Sequence, residues 1–291
     1  MLTACGDFDE INKNPTAADI DQVQIEYFIN SSIIGAQQNP HVAERAFVLY
    51  WKDAGHMDRI GTLSTGYTDN GWTTDYFNEA SKWLGDVNTA IQVGEMKIQS
   101  GNIDEYSNNL LQVARIWRVY MMSELTDLFG PIPMNGFQGV NPDFNKVEEI
   151  YDFMLKELKD AVAKMNDKTV IDRVKKTDPA YEYDFNKWKK YGNSMRMRLA
   201  MRISNVDPAR AKAEFEDAAK GSNFIASLSD NFKVQEKSGW DPLTGVMSRE
   251  WNAQRLSTTI NNLYIGLGGV STESQVKGDA KALAMVKPEN W

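Results

Sequence analysis

Residues 58–76 hold Arg59, Tyr67, Asp69, Asn70, Trp72 and Tyr76 within nineteen positions. A flat aromatic ring can cover the patch of C–H bonds on a sugar face, while Arg, Asp and Asn bond the hydroxyls at its edge. This stretch has the composition a saccharide site requires. The competing reading of the same residues is an irregular loop around a buried Trp. Trp240, beside Asp241-Pro242 in a polar stretch, is a further stacking candidate, with Trp251 not far beyond it.

Other chemistries find less support. His56 near Asp58 suggests an acid–base dyad, but a triad also needs a placed nucleophile and no Gly-x-Ser-x-Gly is present. Carboxylates are plentiful, yet nothing singles out a pair for glycoside hydrolysis. Gly266-Leu-Gly-Gly269 lacks the Lys-Ser/Thr continuation of a phosphate loop. The single Cys, Cys5, excludes an internal disulfide and any multi-Cys metal site, and the two His form no His-Glu-x-x-His pattern. The expectation is therefore a binding protein with no catalytic residue, no metal and no cofactor. A net charge of −8 argues against nucleic acid as a partner, because phosphate contacts need clustered Lys and Arg.

The elements that must position such a site are helical. The chain is long enough for one sizeable core or two small ones, and no run of about 18 apolar residues could cross a membrane as a helix. Asp19 can cap a helix running to about Gln38, with Ile20, Val23, Tyr27 and Ile34 on one side. A second helix is expected from Val42 to about Gly55. Residues 56–72, rich in Gly, Thr and Asp, read as a long loop. Helix resumes near Thr74 and runs to about Ser100, where Gly101 can end it.

Between Glu105 and Phe129 the residues Leu110, Val113, Ala114, Trp117, Met121, Leu125 and Leu128 form the clearest apolar stripe, stopped by Gly130-Pro131. Val147 to Met165 is a further helix, with Ile150, Phe153, Met154, Leu158 and Val162 inward. Lys187 to Ser204 carries Met195, Leu199 and Ile203 one above another, which reads as core. Arg196, Arg198 and Arg202 on that helix read as ion-pair partners of neighbouring helices rather than an anion site. Asp207-Pro208 makes a cap and first turn for a short helix ending near Gly221. The 34-residue tetratricopeptide pattern is not present cleanly.

Four segments agree on a family. They are Leu2-Thr-Ala-Cys5 with Phe8-Asp-Glu-Ile-Asn-Lys-Asn-Pro15, then Leu125-Thr-Asp-Leu-Phe-Gly-Pro-Ile-Pro133, then Ile150-Tyr-Asp-Phe-Met-Leu-Lys-Glu-Leu158, and the run from Asp184 to Pro208. In this order and spacing they resemble the SusD/RagB family of surface lipoproteins, which capture nutrients, usually glycans, for a TonB-dependent outer-membrane transporter. The resemblance implies a mostly all-α fold of degenerate tetratricopeptide-like helix pairs with long irregular loops. It also implies lipidation of Cys5, an outer-membrane location facing the outside, and a SusC-like transporter as partner. Sugar contacts in glycan-binding relatives come partly from a loop after the second helix, which corresponds to residues 58–76.

On this reading residues 1–18 are a lipoprotein remnant and linker, and 19–291 form the helical domain. Family members are typically longer, so a C-terminal part is expected beyond Trp291. Two rivals stay open: a tetratricopeptide-like adaptor whose ligand is another protein, and a lipid-anchored glycoside hydrolase.

Overall fold

The computed structural model describes residues 22–38, 55–57, 70–102, 104–137, 142–234 and 254–256, with the backbone alone at 55–57, 70–73 and 254–256. The described elements are α1 (Ile25–Gln38), β1 (Gly55–Met57), α2 (Asn70–Ser100), α3 (Ser107–Phe129), α4 (Val147–Lys164), the single turn α5 (Asp172–Lys175), α6 (Phe185–Arg202), α7 (Pro208–Ala218) and β2 (Gln254–Leu256). The fold is mostly helical. The second expected helix, from Val42, lies outside the described residues except at Gly55, which opens β1.

The chain forms two compact units, the first with residues 22–37 and 78–234 and the second with 38, 55–57, 70–77 and 254–256 among those described. In the first unit, α3 packs on α4, α4 on α6, and α6 on α7. Each helix therefore neighbours the next long one, as in tetratricopeptide-like pairs. The α3 stripe is core: Leu110, Val113, Ala114, Trp117, Met121 and Leu125 are at most 1% exposed. Leu128, in the last turn of α3, breaks the pattern at 43% exposed.

The face of α1 differs from the expected one. Ile25, Ile29, Ile33 and Ala36, at four- and three-residue spacing, are buried, while Tyr27 is 54% exposed. The buried stripe is simply the more apolar of two overlapping ones. Trp117 Nε1 donates to Ser32 Oγ at 2.9 Å, and Ser32 Oγ donates to the Trp83 carbonyl at 2.8 Å, linking α3, α1 and α2. Gly35 allows that approach, since a Cβ there would lie 2.4 Å from Trp83 Nε1.

Local capping sets the helix ends. Asp184 accepts from the Asn186 and Lys187 amides, and Asp207 from the Arg210 amide with Pro208 in the first turn. Gly101 (φ +69°) and Gly130 (φ +77°) follow the ends of α2 and α3 in conformations that Gly adopts without strain. Between α3 and α4 the Pro131–Pro133 turn buries Ile132 completely, and Asn145 N–H donates to the Ile132 carbonyl at 2.9 Å. The turn is a connector pinned at both ends.

Interior ion pairs tie the layers. Arg115 holds Glu157 in a two-point fork at 2.8 and 2.7 Å and reaches Asp160 at 2.7 Å, and Arg118 shares Glu157. Arg196 is 3% exposed and joins Glu214 and Asp217, while Arg202 pairs with Asp127 at 2.9 Å. Arg196 and Arg202 thus serve as interhelical partners, and Arg198 is exposed. In the second unit, β1 pairs antiparallel with β2, Gly55 opposite Leu256, His56 opposite Arg255 and Met57 opposite Gln254.

Candidate functional site

The stretch expected to bind sugar is only partly loop. Helix α2 begins at Asn70 rather than near Thr74, so Asn70, Trp72 and Tyr76 lie on its first two turns. A Gly in the first turn and two consecutive Thr had masked that start, because none of them favours a helix. Tyr76 is buried at 6% exposure and offers little ring surface to a ligand. Arg59, Tyr67, Asp69, Trp240 and Cys5 lie outside the described residues, as does Asp58 of the suggested dyad.

Other tryptophans are structural. Trp117 and Trp188 are fully buried. Trp117 stacks between Tyr120 (4.6 Å) and Phe232 (5.5 Å), and Trp188 meets Tyr181, Tyr191 and Phe232 at steep angles.

Among the described residues, two clefts indent the first unit. One, of about 970 Å³, lies where α3 ends, α4 begins, α6 ends and α7 begins. Its floor is a locked polar set: Tyr151 Oη donates to Asp127 Oδ1 at 2.7 Å and accepts from Arg202 Nε at 2.8 Å, and Arg210 is paired with Asp152. Burial and the hydrogen bond to Asp127 push the Tyr151 hydroxyl above its ordinary range. Asp127 and Asp152 are both held by guanidinium groups, which suits scaffolding rather than proton transfer.

The other cleft, of about 660 Å³, lies beside the start of α6, between the chain at Asn166–Val170 and the turn Ala180–Asp184. Its wall is built around Asp178, a carboxylate only 2% exposed. Asp178 Oδ1 accepts from the Ala180 and Tyr181 amides at 2.9 and 3.2 Å, and Oδ2 accepts from the Tyr183 amide and Trp188 Nε1 at 2.8 and 2.7 Å. Burial pushes its carboxyl above the ordinary range, and the four donors restrain that rise. The hub holds Glu182 (φ +52°) and Tyr183 (φ +54°) in the left-handed region, which non-Gly residues keep only when neighbours fix them. Lys168, Lys175, Lys187 and Lys189 line the cleft with Thr169 and Asn186. None of these was singled out from sequence as a site residue, although Asn186, Lys187 and Lys189 lie in the Asp184–Pro208 run that carries the family resemblance.

Among the described residues no three His, Cys, Asp or Glu side chains group to hold a metal ion, and no helix is long and apolar enough to cross a membrane.

Comparison with known proteins bears on both fold and function. The family described as SusD-like_2, starch-binding associating with outer membrane, matches residues 14–265. No curated protein matches the chain. Among solved structures, a SusD homolog from Parabacteroides distasonis is 26% identical with a TM-score of 0.65, over 79% of this chain and 46% of its own. A chitin-binding protein aligns with a TM-score of 0.70 at 21% identity, over 84% of this chain and 53% of its own. A chitin-binding SusD homolog from Flavobacterium johnsoniae aligns at 0.63 and 24%, over 82% and 52%. The chain thus spans about half the length of these structures.

Proposed function

The chain belongs to the SusD-like family, and from that premise we propose that it is a lipid-anchored, cell-surface binding protein that takes up glycan oligomers without cleaving them. On this reading it delivers them to a SusC-like TonB-dependent transporter. The observation that carries the proposal is the family match across residues 14–265, whose description is starch-binding and outer-membrane associating. Two further facts support it. Solved structures of the same fold include chitin-binding proteins, and the stretch from Arg59 to Tyr76 has a sugar-recognising composition. The polar floor of the larger cleft, with its carboxylates tied to arginines, gives the hydrolase rival no support.

The test is a binding screen against maltose- and chitin-derived oligomers, with product analysis on every hit. Binding without turnover is the expected result; release of shorter sugars would establish a hydrolase. Trp72→Ala is expected to weaken the bound oligomer by about 1–3 kcal/mol, or about ten- to hundredfold, by analogy with other ring-stacking contacts. Its melting temperature is expected to be unchanged. Unfolding with unaltered affinity per folded molecule would assign Trp72 to the core. For the anchor, the motif Leu2-Thr-Ala-Cys5 predicts that Cys5→Ala in the precursor releases the protein from the membrane fraction, whereas retention would remove the lipoprotein reading.

A further inference from the structure

We propose that this chain pairs with a second copy of itself through one end of its helical layers, each copy seating its Phe144 ring in the larger cleft of the other.

The observation that carries this is where the exposed apolar side chains lie. Ten large hydrophobic residues are exposed among those described, and five of them belong to one end of the first unit. Leu128 ends α3, Phe144 and Val147 lead into α4, Met201 ends α6, and Val206 precedes α7. Single exposed apolar residues are ordinary, but a cluster ringed by charge marks an interaction surface. The backbone under it is pinned. Asn145 N–H donates to the Ile132 carbonyl at 2.9 Å, Lys146 N–H to Glu149 at 3.1 Å, and Arg210 N–H to Asp207 at 3.0 Å. Phe144 (64% exposed) and Val206 (82%) therefore stand beside fixed turns.

The shape is self-complementary. Val147, Met201, Ile203 and Val206 give the cleft of about 970 Å³ its apolar walls. The one aromatic residue lining it among those described is Tyr151, whose hydroxyl is already tied to Asp127 and Arg202. Phe144 lies three residues before Val147 but is not part of the lining. A knob beside a hole that it does not fill is what a two-fold contact needs, because the rotation sets each knob against the other copy's hole.

Charge selects a second copy as the occupant. Lys146 and Glu148 flank Val147, both are exposed, and neither is in an ion pair among the described residues. Across a two-fold axis near Val147 the segment runs antiparallel to itself. Lys146 of each copy then approaches Glu148 of the other, so one short segment makes the same pair twice. Arg202 and Arg210 on this face are neutralised within the chain by Asp127 and Asp152. A foreign partner would have to bring matching charges, whereas a second copy brings them by symmetry. Stable interfaces bury roughly 800 Å² on each partner, of which five partly exposed side chains supply only the centre, so a dissociation constant on the order of micromolar is expected.

The experiment is sedimentation velocity of the whole chain, at concentrations spanning that constant and with a reductant present so that Cys5 cannot cross-link copies. A monomer–dimer equilibrium is the expected result. Phe144→Ala and Met201→Ala/Val206→Ala are each expected to weaken it tenfold or more. Leu228→Ala, a change at an exposed Leu outside this face, is expected to leave it unaltered. Lys146→Glu and Glu148→Lys each set like charges opposite one another and are expected to weaken the dimer, and the double reversal is expected to restore it. A monomer at every concentration would overturn the proposal and leave the face to a different protein. A dimer that survives both apolar variants would place the contact elsewhere and overturn it too. Failure of the double reversal to improve on either single one would overturn the two-fold arrangement. Thermal melting identifies any variant that fails to fold, and Phe144→Ala, which removes an exposed ring, keeps the test decisive if a charge variant does.

Discussion

Asp178 shows how much one side chain can organise. Four donors converge on its carboxylate, three from a turn with no helix to satisfy them and one from a buried indole. Asp178→Ala removes every acceptor at once. It is expected to cost about 3 kcal/mol or more, because the buried donors left behind find no water. A shift in the denaturant midpoint measures this, and an unchanged midpoint would mean the turn is held by something else. This hub was not legible in the sequence, where Thr-Asp-Pro reads as an ordinary turn opening. The cap at Asp207 was legible, because it acts on an amide three residues away, whereas the cap at Asp184 was not read and α6 starts two residues before the expected Lys187. Trp72 is the intermediate case: its type announces a role, but side-chain type alone cannot separate a binding ring from a core ring.

At the scale of elements, the apolar periodicity placed the helices well and their faces less well. The α3 stripe from Leu110 to Leu125 is buried as its spacing implies. On α1, two stripes overlap; Ile25, Ile29 and Ile33 are buried and Tyr27 is exposed, and Ser32 of the same helix bonds Trp83 and Trp117. Long-range pairing decides such cases, so local pattern does not. The α6 helix approaches its neighbours through Gly192, where a Cβ would lie 2.7 Å from Val162 Cγ2 and 3.1 Å from Ile116 Cδ1. Val162 is β-branched and stiff, so it yields little. Gly192→Val is expected to destabilise by about 1–3 kcal/mol through overpacking, read as a lower denaturant midpoint with unchanged helical circular dichroism before the transition. A neutral result would show that α6 can slide.

For the molecule as a whole, the interior ion pairs predict its response to acid. Hydrogen bonds from Lys220, Lys159 and Arg196 hold the Asp217 carboxyl well below the usual range. Lys164 and Arg115 lower Asp160, and at Glu157 the bonds and charges of Arg115 and Arg118 outweigh a burial effect of opposite sign. A carboxylate with a depressed folded-state pKa adds stability above its unfolded value of about 4, and that stability is lost as pH falls through the folded value. Asp178 has the opposite sign, because its raised pKa favours the protonated form. Among the described residues Asp172, beside Lys175, and Asp230, beside Lys190, are lowered as well, so five lowered carboxyls stand against one raised and the net is a loss. The melting temperature is therefore expected to fall steadily below about pH 4, and Asp217→Asn is expected to flatten that slope. A melting temperature flat down to pH 2.5 would rule out the network as a source of stability.

The two-stranded ladder has a consequence for biosynthesis. β1 leaves the ribosome about 200 residues before β2, its partner, so at about 5–20 residues per second it waits ten seconds or more. Every helix from α2 to α7 is made in that interval. Among the described elements β2 is therefore the last to be made, so the ladder cannot form until every described helix exists.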